Sequence, residues 1–210
     1  MGWKIARLKD VADEIFVGVQ PAKRKPPPGE TQEHVTVSVG DIRQGTVAPL
    51  GDLSTTALRL DPHEVRRYGI AAGDILLSAK GTQLKIARVF PESTGAVATA
   101  TLIVVRPGPR LLAPVLFAFL SSPPTMASIL ALGRRSVATT AWSMKDISAL
   151  PVPVPPPPVQ QAMKELIDTG EQYFRVAVEA ATLRRDLVRT VVMDAFHSNG
   201  VPPTPEEPAP

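Results

Sequence analysis

Leu150-Pro-Val-Pro-Val-Pro-Pro-Pro-Pro-Val-Gln-Gln-Ala162 separates two parts of the chain that differ in character. Proline lacks an amide hydrogen and has a fixed φ, so this run cannot lie inside a helix or a central strand. It reads as a stiff polyproline joint over residues 151–158, with Val152 and Val154 forming a proline-edged strand at its start. Before it, residues 1–150 hold β-branched runs interrupted by Gly and Pro, the pattern of a β-rich domain. After it, one helical pattern continues over residues 159–197, and residues 198–210 are a Pro/Glu tail whose composition predicts disorder. The expected class is α+β: a mixed, β-rich domain followed by one long coiled-coil-like spacer helix.

Beyond the joint, apolar or small residues recur every three or four positions from Val159 to Val191. Met163, Leu166, Tyr173, Ala180, Leu183, Leu187 and Val191 lie on this stripe, which keeps its register as a coiled-coil seam does. At ~1.5 Å per residue, Val159–Phe196 makes a rod of ~57 Å. An isolated helix cannot cover such a stripe, so the pattern calls for a second copy, a partner helix, or a return onto its own head domain.

Charge divides at the same place. Residues 1–150 carry 18 Lys and Arg against 12 Asp and Glu, whereas residues 151–210 carry 5 against 8, within a net charge of +3. A basic head suits an anionic ligand and an acidic helix suits a protein partner. The absence of cysteine excludes disulfides, thiol catalysis and cysteine-based zinc sites. His34, His63 and His197 have no metal-ligand spacing, so no metal is expected. No signal-like N-terminus or membrane-length apolar run occurs; Leu111–Leu120 is short and contains Pro114. The expectation is a cytoplasmic protein without membrane contact.

Catalytic signatures are missing. There is no Gly-x-Gly-x-x-Gly fingerprint, phosphate loop, Gly-x-Ser-x-Gly elbow or His-Glu-x-x-His pair, so no catalytic residue and no cofactor is assigned. Asp74 and Lys80 invite a metal-dependent nuclease reading, but Ser78 stands where a second carboxylate is wanted. A further alternative is a protein–protein adaptor that offers the proline run to an aromatic groove.

Strands are expected at Trp3–Arg7, residues 35–39, Thr55–Leu60, Ile75–Leu77, Ile86–Phe90 and Val97–Val105, the last in the middle of a sheet. Leu8, Val11, Ala12 and Ile15 have the spacing of a short helix. Further helices are expected at Leu111–Ser121 and Met126–Leu132, separated by Pro123-Pro124, and a capping box at Ser143–Asp146. Polar loops between these elements present Arg43 and Gln44; Lys80, Thr82, Gln83 and Lys85; and Arg134, Arg135, Ser136, Thr139 and Thr140. Such side chains contact phosphates and base edges in nucleic acid, although polar loops are also ordinary solvated surface. The same two readings apply to Lys23-Arg24-Lys25 in the proline-rich loop at 20–29.

Three phrases, in order, resemble one family. They are Leu8-Lys-Asp-Val-Ala-Asp-Glu-Ile-Phe16 with Gly18; Tyr68-Gly-Ile-Ala-Ala-Gly-Asp-Ile-Leu-Leu-Ser78 with Gly81; and Ser143–Leu150 running through the prolines to Gln160-Gln161. Across residues 3–197 the chain resembles the target recognition domain and helix of type I restriction-modification specificity subunits. The resemblance implies a non-catalytic reader of double-stranded DNA that works with a DNA adenine methyltransferase subunit and, in some systems, a restriction motor subunit. The chain shows one recognition domain and one helix where the family has two of each. This half-size form implies self-association through residues 159–196 and a two-fold target. The proline-rich loop at 21–29 departs from the family pattern.

Overall fold

The structure, a computed structural model, describes residues 2–27, 32–135 and 139–198. In chain order the elements are β1 (Lys4–Arg7), α1 (Leu8–Val11), β2 (Ala12–Val17), β3 (Glu33–Val37), β4 (Ile42–Arg43), β5 (Thr46–Val47) and β6 (Thr55–Ala57). Then come α2 (Pro62–Tyr68), β7 (Ile75–Ser78), β8 (Lys80–Gly81), β9 (Ile86–Arg88), β10 (Val97–Ala98), β11 (Leu102–Pro107), α3 (Ala113–Leu120) and α4 (Pro123–Leu132). The last elements are β12 (Arg134–Arg135), β13 (Thr140–Ala141), α5 (Met144–Ser148), β14 (Pro151–Val154) and α6 (Pro157–Ser198). The chain divides into two units, residues 1–165 and 166–210.

The first unit is built on a six-stranded sheet of order β2-β11-β7-β9-β5-β4, antiparallel except between β5 and β9. All four residues of β7 are buried, as expected for an apolar run covered on both faces. Phe16, Leu76, Leu102 and Val104 belong to the main core cluster with Val37, Ile70 and Val89. A three-stranded sheet, β10-β3-β6, flanks it, and Val19, Leu58, Leu60 and Val97 form a smaller cluster. Helices α3 and α4 meet at 68° and bury Val115, Leu116, Phe117, Leu120 and Ile129. No single helix among the described residues is long and apolar enough to cross a membrane.

The α+β class and the long helix agree with the sequence. Several local expectations do not. Leu8–Val11 makes only one helical turn before the chain extends as β2, because Ile15 and Phe16 pair with β11 instead of completing a helical stripe. Val97–Val105 is two strands, broken where Leu102 N bonds Thr99 O and the Thr99 and Thr101 hydroxyls bond each other at 2.8 Å. Of Thr55–Leu60, only Thr55–Ala57 is strand. Pro123 and Pro124 begin α4 rather than interrupt a helix, since the first helical positions need no amide hydrogen. At α5 the Ser143 hydroxyl accepts from Lys145 N, and the reciprocal bond from Asp146 does not form. Helix α2 was not anticipated; its start is fixed by a capping box between Asp61 and Glu64.

The proline run resolves into named structure. Pro151–Val154 is β14, paired antiparallel with β1, and Pro157 begins α6. Pro155 is buried between them. The run is therefore a strand and a helix start rather than a continuous polyproline helix, which removes the observation behind the adaptor reading.

Candidate nucleic-acid interface

The polar loops named from the sequence meet at one end of the main sheet. At Arg43-Gln44, β4 and β5 form a two-residue hairpin in which Gln44 and Gly45 both have positive φ, 50° and 79°. This is the primed turn geometry that suits the strand twist, and Gly45 accommodates it without a Cβ clash. Arg43 and Gln44 are exposed at the tip, and the Thr46 hydroxyl donates to Arg43 O at 2.9 Å.

The second loop joins β7 to β9. The fully buried Ser78 closes it: its hydroxyl accepts from Lys85 N at 3.0 Å, and its amide donates to Lys85 O at 3.0 Å. With Leu84 buried below, Lys80, Thr82 and Gln83 stand exposed. Lys85 points back into the protein, where its ammonium donates to Val39 O at 3.1 Å and Ile42 O at 3.2 Å. It thereby ties this loop to the base of the Arg43-Gln44 hairpin.

The third loop is the β12–β13 hairpin, which joins the second through the ladder β12-β13-β8. Thr140 faces Gly81 and Ala141 faces Lys80. Arg134 and Thr139 are exposed, Thr140 is half-buried, and Arg135 pairs with Thr140 through the backbone. Ser136 lies outside the described residues. Trp142 anchors the hairpin: its indole is buried and donates from Nε1 to Ile129 O at 3.1 Å, and its amide donates to Ala79 O at 2.8 Å.

The result is one surface carrying Arg43, Lys80 and Arg134 beside the amide and hydroxyl groups of Gln44, Gln83 and Thr82. Asp41, two residues before Arg43, is engaged by the Ser38 amide at 2.7 Å and hydroxyl at 2.8 Å. An electropositive surface with mixed donors and acceptors can hold phosphates and probe base edges.

The structure superposes on the HsdS subunit from Thermoanaerobacter tengcongensis with a TM-score of 0.60 at 19% identity, over 99% of this chain and 52% of that one. A chain from structural work on complex assembly and conformational transition of the type I R-M system matches at TM-score 0.59 and 19% identity, with the same 99% and 52% coverage. The S subunit of a type I restriction-modification system from M. genitalium matches at 0.58 and 12%, over 89% and 44%. This is the fold of half a type I S subunit. The chain spans about half the length of these proteins. No protein-family model and no curated protein matches it.

Within this S-subunit fold, Asp74 lies at the other end of β7 from Lys80, and only 1% of it is exposed. Arg106 donates to both of its oxygens, at 3.0 Å and 2.8 Å, and Ala71 N adds a bond at 2.8 Å. The pair raises the Arg106 pKa above its usual value, chiefly through the hydrogen bonds to Asp74. Asp74 is thus committed to Arg106, and the nuclease reading loses its acid. Among the described residues no group of three or more His, Asp or Glu side chains is placed to hold a metal.

Sequence reasoning missed Trp142 and misjudged the direction of Lys85. Trp142 follows a polar run with no periodicity to mark it as buried. The partners of Lys85 lie 46 and 43 residues away, beyond any local pattern.

The helix stripe is open in this chain. Leu166 is 76% exposed and Tyr173 77%, and Leu183, Leu187 and Val191 are also exposed. Ala180 is exposed and Met163 half-buried.

Proposed function

We propose that the chain is a non-catalytic DNA-reading subunit that directs a type I restriction-modification methyltransferase to its target. The supporting observation is the convergence of three basic, polar loops at one sheet end, on a fold shared with HsdS over 99% of the chain. On this reading Arg43, Gln44, Lys80, Thr82, Gln83, Arg134, Arg135, Ser136, Thr139 and Thr140 approach duplex DNA, and Lys85 braces them. Double-stranded DNA is the ligand, a DNA adenine methyltransferase subunit the protein partner, and a restriction motor subunit a further partner in systems that cleave.

The exposed stripe of α6 packs against the same stripe of a second copy, so the assembly has two-fold symmetry and reads an inverted repeat. Half-site spacing then follows from the helix. The test is methylome sequencing of a host with and without the gene. The expected result is one palindromic, interrupted motif whose adenine methylation depends on the gene. Unchanged methylation in the presence of the cognate methyltransferase subunit contradicts the proposal.

A further inference from the structure

We propose that Lys23, Lys25 and Arg59 form a second phosphate-backbone site for duplex DNA, at the opposite end of β3 from the reading loops. This rests on the DNA-reading proposal and extends it to a surface those loops do not include.

The site is an open cleft of about 400 Å³ lined by Lys23, Arg24, Lys25, Arg59, Asp61 and Glu64. The proline-rich segment builds one wall. Pro21–Lys23 makes a single 3₁₀ turn in which Lys23 N bonds Gln20 O at 2.9 Å and Arg24 N bonds Pro21 O at 3.0 Å. Arg24 then clamps the segment to the rest of the unit: its guanidinium pairs with Glu64, and its carbonyl accepts from Arg59 N at 2.6 Å. Gln32 braces the opposite wall through reciprocal bonds to Leu60, at 3.1 and 3.3 Å.

Both carboxylates of the cleft are already engaged. Glu64 takes the Arg24 guanidinium and the Asp61 amide, and Asp61 takes the Glu64 amide at 2.8 Å. That amide bond also lowers the Asp61 pKa. Lys23, Lys25 and Arg59 are exposed and make no ion pair among the described residues. Four cations against two engaged carboxylates leave a cleft that favours an anion.

The chemistry of the lining selects the occupant. Binding hot spots between proteins rely on aromatic or aliphatic anchors in desolvated pockets, and no apolar side chain lines this cleft. A chain of phosphates needs only spaced, mobile cations. Distance is also permissive. Gln32 stands at one end of β3 and Val39, which holds Lys85, just past the other, a span of roughly 20 Å at strand rise. That is shorter than one duplex turn of about 34 Å, within the length that one duplex covers.

The experiment measures affinity for a random-sequence duplex against salt concentration, for the full chain and for a Lys23→Ala/Lys25→Ala/Arg59→Ala variant. Each lost phosphate contact lowers the log–log slope by ~0.9, so the variant slope is expected to fall by roughly 2 to 3. Sequence preference, measured by selection from a random pool, stays unchanged. A Lys23→Arg/Lys25→Arg/Arg59→Lys variant retains the slope, which separates charge from packing. An unchanged slope in the alanine variant overturns the inference while leaving the DNA-reading proposal standing. So does wild-type DNA binding together with lost association with the methyltransferase subunit, which would assign the cleft to an acidic protein surface. If the wild-type chain shows no salt-dependent duplex binding, both proposals fail.

Discussion

Gln160 is locked to Leu112: its Oε1 accepts the Leu112 amide at 2.9 Å, with the side chain only 4% exposed. Its Nε2 donates to Arg110 O at 3.0 Å and to Pro155 O at 2.8 Å. One amide side chain in the first turns of α6 thus satisfies the turn before α3 and the residue after β14. The neighbouring Gln161 is exposed and donates to Glu165 at 3.0 Å. Gln160 is therefore the structural glutamine at this joint.

Replacing Gln160 by Ala leaves the half-buried Leu112 amide and the carbonyls of Arg110 and Pro155 without that partner. At about 1–3 kcal/mol for a buried unsatisfied group, the expected loss is about 3 kcal/mol. Gln161→Ala is expected to cost under about 0.5 kcal/mol, as for other surface changes. Chemical denaturation of the two variants checks the contrast. Equal midpoints would contradict the role given to Gln160.

Asp74 and Arg106 supply a second stability test with a functional edge. Asp74→Ala removes both carboxylate bonds from a partly buried guanidinium and leaves it Gly69 O at 3.0 Å and Glu14 at 3.6 Å, with an expected cost of about 3 kcal/mol, near the lower end for a broken buried pair. The account predicts a lowered unfolding midpoint with no change in any phosphodiesterase background. Metal-dependent cleavage that disappears in a folded Asp74→Asn variant would instead restore the nuclease reading.

The anchoring of the third loop is tested at Gly133 and Trp142. A Cβ on Gly133 would lie 2.4 Å from Thr140 Cγ2 and 2.9 Å from Trp142 Nε1, so Gly133→Ala must shift the hairpin. Trp142→Phe removes the buried bond to Ile129 O, at an expected cost of about 1–2 kcal/mol. Hydrogen exchange should show loss of protection at Thr140 and Trp142 before the main sheet is affected. A weakened sequence preference should accompany it.

How much of this was legible in the sequence depends on the range of each interaction. Ile75-Leu-Leu77 announced a buried strand because an apolar run is a local signal, and the α6 stripe repeats over many turns. Helix α2 hid because His63-Glu-Val-Arg-Arg-Tyr68 has no apolar stripe beyond Val65 and Tyr68, and its cap decides its start. The three loops could be named from composition. Their convergence could not, since it depends on β8–β13 pairing and on Lys85 reaching carbonyls more than 40 residues away. The proline run was visible as a boundary, whereas its pairing with β1 is a contact across almost the whole first unit.

The exposed stripe makes a quantitative claim about assembly. A Leu166→Asp/Leu187→Asp variant places charges in the seam and is expected to weaken self-association by more than about 3 kcal/mol, over 100-fold. Sedimentation equilibrium of the wild-type and variant chains measures this. A wild-type chain that stays monomeric at micromolar concentration, alone and with its methyltransferase subunit, would contradict the two-fold proposal.

The central claim is that the Arg43, Gln83 and Arg134 loops read duplex sequence. Selection of bound duplexes from a random pool tests it most directly, using the wild-type chain beside Gln83→Ala and Arg134→Ala variants of unchanged stability. The account predicts a single enriched motif for the wild type, relaxed at one or more positions in each variant, at about 1–3 kcal/mol per lost base contact. An enriched motif that is identical in all three proteins would contradict it.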